Sequence, residues 1–326
     1  MARTITPAPP TALDRRLAVL AMRAPGLIDL VAFYRASIPL LLEAQPRVLK
    51  VELVHRYVVD KLSAGKPALV DENLPLDIAE TTGLFVNLCG CVEHLGSEDA
   101  KKTSGGLAGL FRRGKVDAEN PTVAAIDGGS RTIRTAAALQ LRALVQSDRL
   151  NLVAVWESLL RANAAGLNAI SRRHKIDEGL LRLLAQASLR PAFRAWAAEL
   201  AADTSHWHRP NCPLCGGDHI FSEISGKEGE RRARCGTCGA AWVQTRLACI
   251  HCHETNHRML GRISIEAEEE KYFVQTCDTC KGYDKIINVS DPHDTAMLQI
   301  EDALSAHYDV LAQQRGYMRN PGAKLQ

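Results

Sequence analysis

Eight of the ten cysteines in this 326-residue chain form four C-x-x-C pairs between residues 212 and 280. A gap of two residues lets both sulfurs of a pair reach one ion, and four thiolates complete a tetrahedral site for zinc or iron. The sequence therefore predicts two four-cysteine metal sites. Their predicted ligands are Cys212, Cys215, Cys235, Cys238, Cys249, Cys252, Cys277 and Cys280.

The first two pairs have the sequence of metal-binding knuckles. Gly216 and Gly239 directly follow the second cysteine of each pair. Glycine readily adopts the positive φ that turns backbone amides toward the sulfurs. The intervening segment FSEISGKEGERRAR predicts two short strands around a turn. This is the layout of a zinc ribbon or a rubredoxin.

The last two pairs repeat the layout without the glycines. His253 and Lys281 take their places, so the knuckle geometry is less defined by the sequence here, while HRMLGRISIEA and KYFVQT predict strands. His251, His253 and His257 are alternative ligands. Four thiolates already complete a site, so we expect these histidines to be exposed and not to bind the ion.

Spacing leaves the pairing of the knuckles open. Sequential pairing is favoured over cross-braced pairing because each hairpin then closes a short loop. A thioredoxin-like redox role is disfavoured because no βαβ pattern surrounds any of the four pairs.

The other two cysteines lie in the segment GLFVNLCGCVEHLG. Cys89, Cys91 and His94 have a spacing that a metal ion accepts. Apolar neighbours favour the alternative that both thiols are buried and inert, because free cysteine behaves as a small core residue.

The segments before residue 205 have apolar residues at intervals of three and four, which predicts helices. Trp156, Leu159, Leu160 and Trp196 are expected in their core. Pro39 and Pro191 are expected to bend or restart the helices that contain them.

The predicted fold class is α+β: an all-helical N-terminal domain, two tandem rubredoxin-like or zinc-ribbon four-cysteine modules, and a C-terminal helix. A change of composition at 205–210 marks the first boundary. Residues 96–130 are rich in Gly, Ser and charge and predict a loop or insertion. The final helix is predicted from about Asp294 to Gln313. The predicted units are 1–205, 206–246, 247–290 and 291–326.

Composition and charge narrow the function classes. Hydrophobic residues make up 46% of the chain and charged residues 24%, as in ordinary globular proteins. Residues 206–285 carry 11 Lys and Arg against 11 Asp and Glu, and two divalent ions on eight thiolates would give a net charge of −4. A nucleic-acid partner is therefore not expected, since ribbons that bind phosphates present a basic face.

The N-terminal segment does not fit a signal peptide. The apolar stretch from Gly26 to Ala44 contains Asp29, Arg35 and Pro39 and is expected to fall short of a membrane span. We expect a cytoplasmic protein without membrane insertion, in which C-x-x-C pairs bind metals and do not form structural disulfides.

An ordered series of motifs resembles the FdhE family, whose members are accessory proteins required for active formate dehydrogenase. The resemblance covers about the last 115 residues. The series is Cys212-Pro-x-Cys-Gly, Cys235-x-x-Cys238 with Trp242, Arg246, Cys249-x-x-Cys252, Thr276-Cys277-Asp278-x-Cys280 with Tyr283 and Lys285, and Gly316-Tyr317-x-Arg319 with Asn320-Pro321.

The resemblance implies a cytoplasmic maturation factor that is not itself an enzyme. It would contact the catalytic subunit of a molybdenum- or tungsten-dependent formate dehydrogenase. The rubredoxin-like sites of the family are associated with iron, so two iron ions are the favoured cofactors and zinc is the alternative. A homodimer is an alternative to a monomer.

Two other functions are weighed beside this one. Arg231, Arg232 and Arg234 suggest a zinc-ribbon nucleic-acid-binding protein. The four-thiolate sites also suit a rubredoxin-like electron carrier, because the ligands alone do not separate a redox iron from a structural ion.

Overall fold

A computed structural model describes residues 11–44, 55–70, 76–96, 131–161, 163–200 and 204–321. The predicted loop over 96–130 lies outside these residues after Gly96. The proposed boundary near residue 206 lies within the described part.

The described N-terminal residues are helical, as predicted. The helices are α1 (Ala12–Arg23), α2 (Ile28–Glu43), α3 (His55–Ser63), α4 (Ile78–Glu93), α5 (Arg131–Gln146), α6 (Leu152–Leu160), α7 (Ala164–His174) and α8 (Glu178–Leu200). Several begin at side-chain caps, which satisfy amides that have no partner within the helix. Thr11 and Asp14 form a capping box on α1, and Asn151 and Asn163 cap α6 and α7.

The predicted helical core is largely confirmed. Trp156 and Trp196 are buried, and the Trp156 indole donates to the Ser188 hydroxyl over 3.2 Å. Leu159 is partly buried. The prediction for Leu160 is wrong: its side chain is 41% exposed, since it is the last residue of α6 and lies where the packed surface of that helix ends.

Neither proline restarts its helix. Pro39 lies inside α2 and Pro191 inside α8. A proline removes one amide donor from a helix. Buried neighbours on both sides, such as Leu189 and Ala192 around Pro191, keep the helix packed through that position.

The segment Pro25–Glu43 has a mean hydropathy of 1.4 over 18 residues, and within the described chain it alone is long and apolar enough to cross a membrane by that test. Length and composition therefore do not exclude a span, contrary to the expectation from the sequence. Core helices of soluble proteins pass the same test. Seven residues of this segment are buried by other parts of the protein: Leu30, Val31, Phe33, Tyr34, Ser37, Ile38 and Leu41.

The cysteine region forms one six-stranded mixed sheet in the order β3-β2-β1-β6-β5-β4. The strands are β1 (His219–Ser225), β2 (Glu230–Cys235), β3 (Ala241–Gln244), β4 (Leu260–Ile263), β5 (Tyr272–Cys277) and β6 (Tyr283–Asn288). The strands predicted from the sequence are present. Two antiparallel three-stranded units, β1–β3 and β4–β6, are joined by the parallel pair β1 and β6, in which Ser222 lies opposite Ile286.

The C-terminal segment contains two short helices, α9 (Leu298–Leu304) and α10 (Ala306–Gln314), where one helix was predicted. The break is at Ser305, whose hydroxyl donates to the Glu301 carbonyl over 2.8 Å. Such side-chain bonds compete with regular helix formation. Leu298 and Tyr308 pack against sheet residues such as Phe221.

The helices contact the sheet module through backbone and side-chain bonds. The amides of Ala68 and Leu69 donate to the carbonyls of Pro213 and Leu214, both over 2.8 Å. Arg16 of α1 forms an ion pair with the buried Glu301. The two backbone bonds hold the first C-x-x-C knuckle against the turn after α3, and the ion pair holds α9 against α1.

A buried ion pair connects the two three-stranded units. The Arg231 guanidinium on β2 lies 2.6 Å from the Asp284 carboxylate on β6, and both side chains are at most 2% exposed. Arg231 also donates to the Ala248 carbonyl over 2.9 Å. The Arg231 side chain thus contacts β6 of the second unit and also the segment that links β3 to β4.

We expect Arg231→Met to lower the free energy of unfolding by about 3–5 kcal/mol, because it leaves the Asp284 carboxylate buried without its cation. The double change Arg231→Met/Asp284→Leu should recover most of this loss. Urea unfolding measures both. Arg232→Met is the matched control: its ion pair with Glu230 is exposed and contributes about 1 kcal/mol or less. Equal urea midpoints for Arg231→Met and Arg232→Met would contradict the assignment.

A second buried cluster links β1 to α9 through His293. The His293 ring lies 2.7 Å from the Glu223 carboxylate and 3.4 Å from that of Glu301. Burial opposes protonation of the ring, but the bonds to these two carboxylates raise the pKa of His293 to about 9. The folded protein therefore favours the imidazolium ion.

A raised pKa in the folded state stabilises the fold fully below the unfolded-state pKa, and that contribution is lost as the pH rises through the folded-state pKa. For His293 the window runs from 6.5 to about 9. We expect His293→Gln to remove on the order of 2–3 kcal/mol at about pH 6 and little at about pH 10. Urea unfolding at both pH values tests this, with the exposed His257→Gln as control. A pH-independent difference would contradict it.

Candidate metal centres

The structure gathers the eight predicted cysteines into two clusters of four. In each cluster the sulfur atoms all lie within 4.8 Å of one another. The clusters are Cys212, Cys215, Cys235 and Cys238, and Cys249, Cys252, Cys277 and Cys280. The arrangement is sequential, because each cluster is formed by two consecutive knuckles.

The sulfurs have the spacing of a tetrahedral site. The shortest separations between knuckles are 3.6 and 3.5 Å in the first cluster and 3.7 and 3.6 Å in the second. A disulfide would need about 2.05 Å. A tetrahedron of sulfurs about 2.3 Å from a central ion has edges of about 3.8 Å. The residues present therefore fit a four-thiolate metal ion in both clusters.

All four knuckles share one backbone hydrogen bond. The amide of the first cysteine donates to the carbonyl five residues later, over 2.8 to 2.9 Å. The pairs are Cys212 to Gly217, Cys235 to Ala240, Cys249 to Glu254 and Cys277 to Gly282. Each knuckle is thus closed into a tight loop by local contacts.

The residue after the second cysteine has positive φ in every knuckle. Gly216 and Gly239 have φ of 74° and 77°, and His253 and Lys281 have φ of 60° and 58°. The missing glycines therefore do not change the knuckle backbone. Non-glycine residues adopt this conformation at some cost, so the surrounding loop must hold it in place.

Backbone amides point at the sulfurs, as the knuckle pattern predicts. Thr237 and His251 donate to Cys235 and Cys249 over 3.3 and 3.4 Å. Burial raises the pKa of Cys249, and that of Cys280 to about 11. These thiols retain their protons near neutral pH unless a cation is present, so metal binding must displace protons.

The pKa of the Cys235 thiol differs from those of the thiols around it. Hydrogen bonds from the thiols of Cys212, Cys215 and Cys238, and one from a backbone amide, lower the pKa of Cys235.

Cys235 is also the last residue of β2, and Cys277 is the last residue of β5. Each unit therefore places one ligand at the end of its second strand.

The three histidines are not part of either cluster. His253 and His257 are exposed, as expected. His251 is not exposed: its Nε2 lies 3.0 Å from the Tyr283 carbonyl, and its ring lies 5.6 Å from that of His219. Burial, followed by the charge of His219, lowers the pKa of His251 to about 4.

Cys89 and Cys91 are buried in α4. Burial raises the pKa of Cys89 to about 12 and that of Cys91 to about 11, which makes both thiols poor nucleophiles at neutral pH. Among the described residues they belong to no group with metal-ligand geometry.

The three arginines that suggested nucleic-acid binding are used within the protein. Arg231 and Arg234 are buried in ion pairs with Asp284 and Glu223, over 2.6 and 2.5 Å. Arg232 pairs with Glu230. These side chains therefore do not form an open basic surface for phosphate.

Sequence reasoning missed Arg190 on α8. Burial lowers the pKa of Arg190, while negative charge on Tyr34 and on the Cys235 sulfur opposes this shift. Its positive charge offsets part of the negative charge that four thiolates bring. Because Arg190 is far from Cys235 in the sequence and fits an ordinary helical pattern, spacing could not have identified it.

Comparison with known proteins yields consistent matches. No family model matches the chain. The FdhE homologue of Aquifex aeolicus is 27% identical over 166 residues, covering 50% of this chain and 58% of that protein. The homologue of Pseudomonas aeruginosa is 30% identical and covers 48% of this chain and 60% of that protein. The chain thus spans about three fifths of the length of these curated relatives.

The fold also matches a solved structure. The crystal structure of the FdhE protein from Pseudomonas aeruginosa superposes with a TM-score of 0.55, over 95% of this chain and 94% of that one, at 21% identity. The two proteins therefore share one fold over nearly the full length of each chain. The sequence matches and this common fold show that the chain is similar to FdhE proteins and shares their fold.

Proposed function

We propose that this protein is a cytoplasmic accessory factor for the production of active formate dehydrogenase. It contacts the catalytic subunit of that enzyme and is not an enzyme itself. Similarity to the FdhE homologues supports this role. The observation that carries the proposal is the pair of four-sulfur clusters with metal-site spacing.

Each cluster in this proposal holds one metal ion through its four cysteines. The ion replaces the thiol protons, compensates the thiolate charges and locks two knuckles together. Iron is favoured by the resemblance to rubredoxin-like sites, and zinc is the alternative, since both accept four thiolates. In either case the ion stabilises the loops that carry its four ligands.

The hydrogen bonds from backbone amides to sulfur have a defined part in this proposal. They stabilise negative charge on the sulfurs that accept them and orient the Cβ–Sγ bonds of those ligands. Arg190 adds a half-buried positive charge on the side of the first cluster. The first site is thereby suited to four ionised cysteines in surroundings that otherwise disfavour charge.

A rubredoxin-like electron carrier is the second candidate. The exposure of Cys252 favours it, because electron transfer to a partner requires a ligand near the surface. A one-electron redox titration of the iron-loaded protein, followed by reduction of a partner protein, tests this alternative. Absence of a reversible step would remove it and leave the accessory role in place.

We expect two metal ions per chain in protein purified without oxygen. Elemental analysis and an optical spectrum measure the content and the ion, because iron thiolates absorb visible light and zinc thiolates are colourless. Cys235→Ser and Cys277→Ser should each leave one ion per chain, since three thiolates hold the ion far less tightly. Cys91→Ala is the control and should retain two. Folded wild-type protein with far less than two ions would contradict the metal assignment.

We expect loss of this protein to abolish formate dehydrogenase activity in its host, and wild-type protein to restore it. Tagged protein should retain the catalytic subunit of the dehydrogenase through washing at moderate salt. The control is an unrelated zinc-ribbon protein with the same tag. Unchanged activity in the deletion strain, together with no retained subunit, would overturn the accessory role.

A further inference from the structure

The two clusters have the same donors and the same spacing but different access to solvent. The four knuckle loops, each taken from the first cysteine to the residue five positions later, allow a direct comparison. In the loops 212–217 and 235–240 no residue is exposed. In the loops 249–254 and 277–282 five residues are exposed, namely Cys252, His253, Asp278, Thr279 and Lys281.

The first cluster is enclosed by the rest of the protein. Cys212, Cys235 and Cys238 are at most 4% exposed and belong to the main hydrophobic core. The first knuckle is covered by the segment before α4: a methyl group on Gly216 would lie 2.8 Å from Val70 and 3.3 Å from Pro67. No space remains on this side for an incoming ligand.

The second knuckle of the first cluster is covered as well. Gln299 of α9 donates to the Gly236 carbonyl over 3.3 Å, and the Thr295 side chain lies against Gly239. Ile220 lies against the other face of the loop, 2.6 Å from where a methyl group on Gly236 would be. The turn at 67–70, the segment 295–299 and the sheet residue Ile220 therefore lie around this cluster.

The second cluster is open on the side of Cys252. Cys249 and Cys277 are buried, but Cys252 is exposed and Cys280 is half-buried. None of its four cysteines belongs to either described hydrophobic core cluster. The residues that follow Cys252 do not cover it, since His253, Thr255, Asn256, His257 and Arg258 are all exposed.

We propose that the two sites have different roles: the first holds a fixed structural ion, and the second holds an ion that exchanges with ligands from outside, through Cys252. This rests on the proposed function in one respect, that each cluster holds an ion. Metal sites are protected by the shell around them, so exchange is faster where a ligand is exposed. Thiolate reactivity likewise follows exposure.

The exchange step begins at Cys252. An incoming ligand forms a bond to the ion, the bond between the ion and the Cys252 sulfur breaks, and the released thiolate takes a proton from water. No electron is transferred, and the ion keeps its charge. Cys249, Cys277 and Cys280 hold the ion until the incoming ligands replace them. At the first site the same approach requires the helices to move away from the knuckles.

The test uses full-length protein loaded with two equivalents of Co²⁺, whose thiolate complexes are coloured. An excess of EDTA is added without oxygen, and the loss of absorbance is followed. We expect two phases of one equivalent each, with the slow phase about tenfold slower or more, because it requires local opening of the helical contacts. A single phase that removes both ions would overturn the proposal.

Alkylation identifies the site that empties first. Iodoacetamide is added after the fast phase, and the modified cysteines are located by peptide mass spectrometry. We expect Cys252 and the other three ligands of the second site to be labelled, while Cys212, Cys235 and Cys238 stay unmodified. The buried Cys89 and Cys91 are internal controls for global unfolding. Labelling of the first cluster in the fast phase would overturn the assignment.

Matched variants provide an independent measurement. Cys252→Ser should remove the fast phase and leave one slowly released equivalent. Cys215→Ser, at the half-buried ligand of the first site, should leave the fast phase unchanged. The labelling of wild-type protein decides the question if either variant fails to fold. Equal rates of ion release from both sites would contradict only this inference, whereas failure to bind two ions would contradict the metal assignment itself.

Discussion

The ion pair between Arg231 and Asp284 is the contact on which the arrangement of the two metal centres depends. It joins β2 of one unit to β6 of the other within a dry interior, where both side chains are at most 2% exposed. Such a pair adds little net stability compared with apolar residues, but it strongly disfavours arrangements that separate the two charges. Strand β1 lies between β2 and β6 in the sheet and pairs with β6 in parallel. The ion pair between Arg231 and Asp284 therefore selects one orientation of the two units.

This orientation explains why similar loops have different surroundings. With the units joined at β1 and β6, the first cluster packs against the helical part, and three of its cysteines enter the main core. The second unit continues the sheet beyond that contact and leaves Cys252 exposed. Access to the metal is therefore decided by the position of each unit in the sheet and not by its ligands.

The sequence predicted the parts of the structure that depend on local spacing. The C-x-x-C pairs and the strand patterns between them predicted both hairpins, and Gly216 and Gly239 added to the signal in the first, since a four-cysteine loop closes over short distances. It did not predict the pairing of β1 with β6, the ion pair of Arg231 or the charge of Arg190 near Cys235. These contacts depend on residues that are far apart in the chain. An arginine within an ordinary strand or helix pattern does not indicate which residue it will pair with.

Differences between the clusters also change what loss of metal does to the fold. At the first site four ionised sulfurs without an ion would lie inside the main core next to Trp242 and Leu214, so emptying this site must protonate the thiols or disrupt the packing with the helices. At the second site the sulfurs lie outside the described core clusters, and the loop around Cys252 can rearrange in water. In the proposed arrangement one ion would hold the module on its helices, and removal of the other would stay local.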